Sequence, residues 1–237
     1  MPDGQTVSFE RLEDVHSKPE DCVELRETGP TKIYLYSKKT RKYYKLYQPE
    51  EDVAPTIVIA GATMHRIIGQ TPWEDAEEKV SVIPRPKGRC LDTCFGLGYS
   101  AQLLEKRGAN RVISCEKDPN VLSCARANPW SAGALTSETV QLIQKDVRTY
   151  LESCQPDSFQ TIFHDPPTIS QAGELYAGSL YGVFSRALVR GGTLFHYVGT
   201  PGGKQGKDLA GGIIRRLREA GFHNPKRRAD GIVCRAG

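Results

Sequence analysis

No stretch of this 237-residue chain is apolar for long enough to cross a membrane. Its start, Met1-Pro-Asp-Gly4, lacks the basic-then-apolar pattern of a secretory leader, so a cytoplasmic location is the default expectation. No Cys-x-x-Cys pair occurs among the seven cysteines (Cys22, Cys90, Cys94, Cys115, Cys124, Cys154 and Cys234). Their odd number and scattered spacing argue against a disulfide framework or a zinc site and for reduced, mostly buried thiols. No residue pattern calls for a metal. Internal repeats and low-complexity tracts are absent. A strong charge of one sign is missing too: the net charge of +4 is too small to establish nucleic-acid binding, though it is compatible with a local basic surface. What remains is ordinary globular composition, 38% hydrophobic and 25% charged. That is enough for one substantial α/β core and a small accessory module.

The most informative segment is Cys90-Leu-Asp-Thr-Cys-Phe-Gly-Leu-Gly-Tyr-Ser-Ala101. An apolar strand ends in Asp92, a glycine loop follows, and an amphipathic helix opens near Tyr99. The spacing Gly96-x-Gly98-x-x-Ala101 fits a dinucleotide loop, and Glu116, 20 residues after Gly96, stands where a ribose-binding acid is expected. Asp92 opposes a dinucleotide, because a carboxylate beside a pyrophosphate repels it. S-adenosylmethionine (SAM) has no phosphate and carries a sulfonium and an ammonium, both favoured by a carboxylate at the strand end. The glycines let the backbone approach such a cofactor closely.

Residues 1–30 read as polar and irregular, with a short strand near Cys22-Val-Glu-Leu25. Lys32–Tyr36 and Lys42–Tyr47 flank a turn at Ser37–Arg41 and predict a hairpin, and Pro55–Gly61 predicts another strand. A small N-terminal β module over residues 1–68 is expected, then a cofactor-binding domain over 69–237. Trp73–Val82 reads as a helix with Thr71 as N-cap and Pro72 in its first turn. From Gly88 onward strands are predicted over 88–92, 111–116, 139–145, 159–164 and 193–198. Helices are predicted over 99–108, 119–127, 147–154, 174–190 and 207–220. Gly191-Gly192 is expected to end the long helix, and Asp230-Gly231 to turn a terminal hairpin. Such alternation predicts an α/β fold: a doubly wound, mostly parallel sheet with helices on both faces and a C-terminal antiparallel hairpin.

Four acids then fall at successive strand ends, Asp92, Glu116, Asp146 and Asp165, where an open α/β sheet lines its ligand crevice. For Asp146, capping of the helix that begins at Val147 is an equal reading. Together with Ile143-Gln-Lys-Asp146, Asp165-Pro-Pro167 and Gly191-Gly-Thr-Leu-Phe195, the chain resembles the class I SAM-dependent methyltransferases over roughly residues 70–237. The phrase His164–Tyr176 is similar to a branch related to spermidine synthases. The resemblance implies that Asp92, Thr93, Phe95, Gly96 and Gly98, with Tyr99 at the helix start, face the methionine part of SAM. It implies that Glu116 binds the ribose hydroxyls, Asp146 the adenine amine, and Val147 the adenine ring. Lys117 would flank the adenine, although a solvated surface lysine fits it as well.

Asp165-Pro166-Pro167 resembles the motif with which amino methyltransferases orient a planar NH₂ group, and these three are the candidate catalytic residues. The motif's usual aromatic is replaced by Thr168, which leaves Phe163, Tyr176 or Tyr197 to supply a ring. Met64-His65, Trp73 and Asp75 precede the sheet, where such enzymes close over the cofactor, with Trp73 read as a hydrophobic anchor. His164 reads as a packed residue and Cys94 as a loop thiol without a catalytic role. Two basic clusters stand out. One is the hairpin with Lys32, Lys38, Lys39, Arg41, Lys42 and Lys45 among Tyr34, Tyr36, Tyr43, Tyr44 and Tyr47, suited to single-stranded RNA. The other, Arg215–Arg218 and Lys226–Arg228, reads as a solvated helix face and a charged edge strand. The leading expectation is N-methylation of an amine-bearing substrate, an RNA base first and a small molecule second. Aminopropyl transfer and a catalytically silent RNA-binding module of the same fold are the alternatives.

Overall fold

A computed structural model describes residues 18–199 and 206–237. Strands β1 (Val23–Arg26) and β2 (Gly29–Lys32) form a two-stranded antiparallel ribbon. Strands β3 (Tyr34–Ser37), β4 (Lys42–Tyr47), β5 (Thr56–Ile59) and β6 (Ala62–Thr63) form an antiparallel four-stranded sheet in chain order. Helix α1 (Pro72–Ser81) follows. Its start is fixed by a capping box: Glu74 N–H donates to the Thr71 hydroxyl, and Thr71 N–H donates to the Glu74 carboxylate.

The remaining elements are β7 (Arg89–Asp92), α2 (Tyr99–Lys106), β8 (Arg111–Cys115), α3 (Pro119–Arg126), α4 (Ala132–Thr136), β9 (Val140–Ile143), α5 (Val147–Glu152), β10 (Phe159–His164), α6 (Gly178–Ala187), β11 (Leu188–Tyr197), α7 (Gly206–Glu219), β12 (Phe222–Arg228) and β13 (Gly231–Ala236). The seven-stranded sheet has the order β12-β13-β11-β10-β7-β8-β9. The strands from β11 to β9 run parallel, and β13 and β12 add antiparallel pairs at one side. This is the predicted doubly wound sheet with its terminal hairpin. Successive residues supply opposite cores. Cys90, Val112, Phe163 and Phe195 pack on one face of the sheet, while Leu91, Ile113, Ile162 and Leu194 pack on the other. Each fully buried aliphatic side chain contributes about 1.5–3 kcal/mol. No helix among the described residues is long and apolar enough to cross a membrane.

Two segments differ from expectation. The predicted helix over 174–190 is a 3₁₀ turn (Gly173–Tyr176), a break at Ala177, and α6. Leu188 leaves the helical pattern because it pairs with Phe159 in the sheet. Gly191 and Gly192 therefore lie inside β11, where the register slips between the Leu188 and Thr193 pairs, and Gly191 has φ +74°. Helix α4 lies in a segment with no clear apolar period.

Strand order reverses between β8-β7 and β10-β11. A crevice opens at such a switch point, outside the carboxyl ends of the strands. Asp92 ends β7, and Asp165 follows β10 directly.

Candidate active site

A cavity of about 310 Å³ lies outside the ends of β7, β8, β9 and β10, a size suited to a small molecule. Thr93, Phe95, Gly96, Tyr99, Glu116, Lys117, Asp146, Val147, Asp165, Pro166 and Pro167 all line it. Its other wall is the small sheet, through Thr40, Lys42, Tyr44, Ile57, Ile59, Met64 and His65. Two hydroxyls fix that wall. Tyr44 donates to Asp118 Oδ2 at 2.6 Å, and Tyr99 donates to the Pro55 carbonyl at 2.7 Å. Sequence reasoning missed Tyr44, Asp118 and the hairpin as parts of this cavity, because the contacts that bring them there span tens of residues.

The two loop glycines do different things. Gly96 has φ +55°, and a Cβ there would meet nothing within 4 Å, so its backbone lies open to the cavity. Gly98 does not line the cavity. Its φ is +75°, and a Cβ would lie 2.6 Å from the Phe95 ring and 2.8 Å from Ala134, so its role is to let the loop pack as α2 begins. Glu116 accepts from Gly96 N–H (3.2 Å) and Asp118 N–H (2.9 Å). Burial raises its pKa, and these backbone bonds oppose the shift. Asp146 caps a helix and also lines the cavity. Oδ1 caps α5 by accepting from Arg148 N–H (2.9 Å), while Oδ2 lies 3.7 Å from Lys117 Nζ. Lys117 also reaches Glu174 at 3.0 Å, so it is an ion-paired rim residue.

Asp92 does not line the cavity either. It is fully buried beneath the lining residues Thr93 and Ser100. Its Oδ2 accepts from Ser114 (2.6 Å) and Ser100 (3.2 Å). Oδ1 has no hydrogen-bond partner among the described residues. Burial pushes the carboxyl pKa up to about 7, with the serine hydroxyls restraining the rise.

A second cavity of about 220 Å³ adjoins the first and shares Met64, His65, Asp165, Pro166, Pro167 and Gln171 with it. Asp165 is thus the carboxylate on the common wall. Its Oδ2 accepts from Lys79 Nζ at 3.0 Å, and the same ammonium lies 2.9 Å from Asp75 Oδ2 and 4.5 Å from the Tyr197 ring centroid. Asp75 is held further by Gln70 (3.1 Å) and Arg66 N–H (3.3 Å). Burial works against the Lys79 charge, but Asp165 and Asp75 outweigh it and raise the Lys79 pKa. For Asp165 burial raises the pKa, and Lys79 holds the rise in check. Sequence reasoning missed Lys79. The readable signal was a lysine beside Ala76 and Val80 on the buried stripe of α1, four residues after an aspartate.

The three ring candidates separate. Phe163 stacks on Phe195 in the core at 4.9 Å. Tyr176 is buried, and its hydroxyl donates to the Pro167 carbonyl at 3.0 Å, which holds the Pro-Pro turn. Only Tyr197 of the three lines the second cavity. His164 is buried between Thr93 (Nδ1, 2.7 Å) and the Leu175 carbonyl (Nε2, 2.9 Å), and burial lowers its pKa to about 4. It is a neutral packing residue, like His65, which lines both cavities and is likewise lowered to about 4 by burial. Cys94 lines the first cavity, but burial pushes its thiol pKa well up, which leaves no thiolate at neutral pH. Trp73 packs on Tyr99 and Trp130 as an anchor. The second basic cluster disperses: Arg215 pairs with Glu219, Arg216 packs against Gly178, and Lys226–Arg228 lie on the edge strand β12. No cluster of three metal-binding side chains occurs among the described residues.

No family model matches the chain. An uncharacterized protein of Methanocaldococcus jannaschii, MJ1233, is 40% identical over 238 residues, spanning 99% of this chain and 80% of that protein. A polyamine aminopropyltransferase of Mycobacterium tuberculosis is 28% identical over 134 residues, 54% of this chain but a quarter (25%) of that enzyme. Among solved structures, a spermidine synthase in complex with the transition-state analogue AdoDATO superposes with a TM-score of 0.69 at 16% identity, covering 86% of this chain and 73% of that one. A candidate SAM-dependent methyltransferase of Listeria monocytogenes superposes with a TM-score of 0.51 at 12% identity, covering 69% of this chain and 98% of that one. The fold is therefore the one shared by class I methyltransferases and spermidine synthases, and by sequence the chain belongs to the family of the M. jannaschii protein.

Proposed function

We propose that this chain transfers a methyl group from SAM, held in the first cavity, to a neutral amine held in the second. The observation that carries the reading is Asp165 on the wall common to both cavities, with one carboxylate oxygen tied to a buried ammonium.

The residues of the first cavity suit such a donor. Glu116, Asp118, Asp146, Asp165 and Glu174 outnumber Lys42, Lys117 and Lys145, and no arginine is among the lining residues described. That balance favours a cationic ligand and disfavours a pyrophosphate. The open backbone at Gly96 allows close approach, Glu116 would accept from ribose hydroxyls, and Asp146 with Val147 would hold the adenine. When bound, SAM supplies a methyl group on a sulfonium that is already a good leaving group. The protein's task is then orientation. Lys79 fixes Asp165 Oδ2, so Oδ1 and the Pro166 carbonyl can accept from an amine N–H and aim the nitrogen at the donor. The charge that develops on that nitrogen is met by the Asp165 carboxylate.

Aminopropyl transfer from decarboxylated SAM is the second reading, favoured by the resemblance to the aminopropyltransferase and the spermidine synthases. Charge in the second cavity weighs against it. Its lining carries two acids, Asp75 and Asp165, which share the Lys79 ammonium, and Arg66 beside them pairs with Asp230, whereas a polyamine needs several carboxylates of its own. Calorimetric titration with both donors separates the readings. SAM is expected to bind at least tenfold more tightly, about 1.4 kcal/mol. The opposite preference would move the assignment to aminopropyl transfer. With labelled SAM, Asp165→Asn should lower transfer about 10²–10³-fold while changing donor affinity little. Unchanged transfer by that variant would remove Asp165 from the transfer step.

A further inference from the structure

The four-stranded sheet has two faces with different fates. Its inner face, with Tyr44 and Ile57, closes the donor cavity. Its outer face presents Tyr34, Tyr36 and Tyr43, which are 51%, 52% and 49% exposed. Their rings form one continuous surface: Tyr34 and Tyr43 lie 5.3 Å apart at 23°, and Tyr36 and Tyr43 lie 4.7 Å apart. Three exposed aromatics in contact on a water-facing sheet have no role in a core. The adjoining turn carries Lys38, Lys39 and Arg41, all exposed and in no ion pair among the described residues. The acidic loop Glu50–Asp52 lies at the opposite end of β4, so the positive potential is concentrated at the turn.

Register links this surface to the second cavity. Tyr34 pairs with Lys45, Lys45 with Val58, and Val58 with Thr63, giving one row of outward side chains across all four strands. Thr63 is exposed and lines the second cavity. Three strand spacings separate the ends of the row, about 14 Å.

We infer that this outer face is a track for single-stranded nucleic acid, which it delivers to the second cavity so that an exocyclic base amine meets Asp165. The inference rests on the amine-transfer reading above and names its acceptor. Bases stack on the tyrosine surface, where every base offers a π face. Phosphates meet the cationic turn. A splayed base enters beside Tyr197, the aromatic lining that cavity, and its neutral NH₂ group suits a lining whose two acids share an ammonium. A duplex cannot follow this path, because its bases are stacked on one another.

The test uses a fluorescein-labelled 12-nucleotide RNA of mixed adenosine and cytidine, followed by fluorescence anisotropy. The single strand should bind at least tenfold more tightly than the same strand in a duplex. Replacing both rings, Tyr36→Ala with Tyr43→Ala, should weaken binding about 100-fold, tenfold for each stacking ring. Lys38→Ala with Lys39→Ala should flatten the slope of log affinity against log salt by about 1.4. All four substituted side chains lie at the surface, so the changes leave the core intact, which circular dichroism checks. Equal affinity for strand and duplex, or unchanged affinity in the tyrosine double variant, overturns the track. So does sedimentation showing a dimer that the tyrosine variant abolishes, since the face would then belong to a second copy. Wild-type protein that binds the single strand as expected, with both double variants weakened, but transfers no label from SAM to it counts against the amine-transfer reading and leaves the track standing.

Discussion

Two carboxylates, Asp92 buried and Asp165 half-buried, stand at neighbouring strand ends, and the protein treats their charge in opposite ways. Asp92 lies opposite Phe163 in the β7–β10 pairing, and Asp165 is two residues further along β10's exit. Around Asp92 there are neutral groups, the hydroxyls of Ser114 and Ser100 and the backbone of Cys94, and one carboxylate oxygen has no close hydrogen-bond partner among the described residues. Around Asp165 there is an ammonium, Lys79, itself fixed by Asp75. A hydroxyl lowers the energy of a buried carboxylate without cancelling its charge, whereas an ammonium cancels it. Under the proposed methyl transfer, the first site is left wanting a cation from outside, which a sulfonium donor would provide. The second already holds a cation of the chain's own, which would suit it to orienting a neutral acceptor.

The hardest blow to this contrast is the removal of its ammonium. Lys79→Met leaves Asp75 and Asp165 as facing acids, which should cost about 3–5 kcal/mol in a urea titration. For a chain of this size the melting temperature should fall about 6–20 °C. A cost below about 1 kcal/mol would mean that Lys79 does not balance Asp165. Asp92→Asn should act in the reverse direction. Removing an uncompensated charge should raise the melting temperature of the unliganded protein about 2–8 °C at pH 8. The same change should weaken SAM binding about 10–100-fold, the range of a lost charge-assisted contact. A variant that is stabilised yet binds SAM normally would show that Asp92 does not serve the donor.

The pH dependence gives the same contrast a sign. The Asp92 pKa rises from about 3.9 in the unfolded chain to about 7 in the folded one. Its contribution to stability is thus full below pH 4 and is lost as pH climbs through 7. Donor binding needs the ionised carboxylate, so SAM affinity should rise about tenfold per unit below pH 7 and level off above it. Asp92→Asn should flatten both curves. An affinity that falls between pH 6 and 8 would contradict the assignment.

How much of this was written in the sequence depends on how local the cause is. The β7–α2 loop, the Thr71 N-cap and the alternation of strands and helices were legible, because each rests on residues within a few positions. The α6–β11 boundary was not, because Leu188 carries a helical pattern and is claimed by a strand partner 29 residues away, Phe159. The acids at the strand ends could be counted from sequence, but their environments could not. That Asp92 lies under the cavity floor, that Gly98 packs on Ala134, and that Lys79 meets Asp165 across 86 residues are consequences of packing alone. The second cavity belongs wholly to this class, since its walls come from β6, α1, the Asp165 turn and β11.

The finest probe compares the two hydroxyls that donate to Asp92. Ser114 is fully buried on β8 and donates at 2.6 Å, whereas Ser100 lines the donor cavity and donates at 3.2 Å. If these hydroxyls restrain this carboxyl, deleting the shorter bond should raise the midpoint of SAM binding against pH further than deleting the longer one. A single hydrogen bond to a charged oxygen is worth about 1.5 kcal/mol at the low end, which sets a scale of roughly one pH unit for Ser114→Ala. Ser100→Ala should move the midpoint less, since its bond is longer and the space it vacates opens towards the cavity. Equal shifts would mean that solvent reaching from the cavity, and not the buried hydroxyl, governs the charge. The contrast with Asp165 would then rest on Lys79 alone.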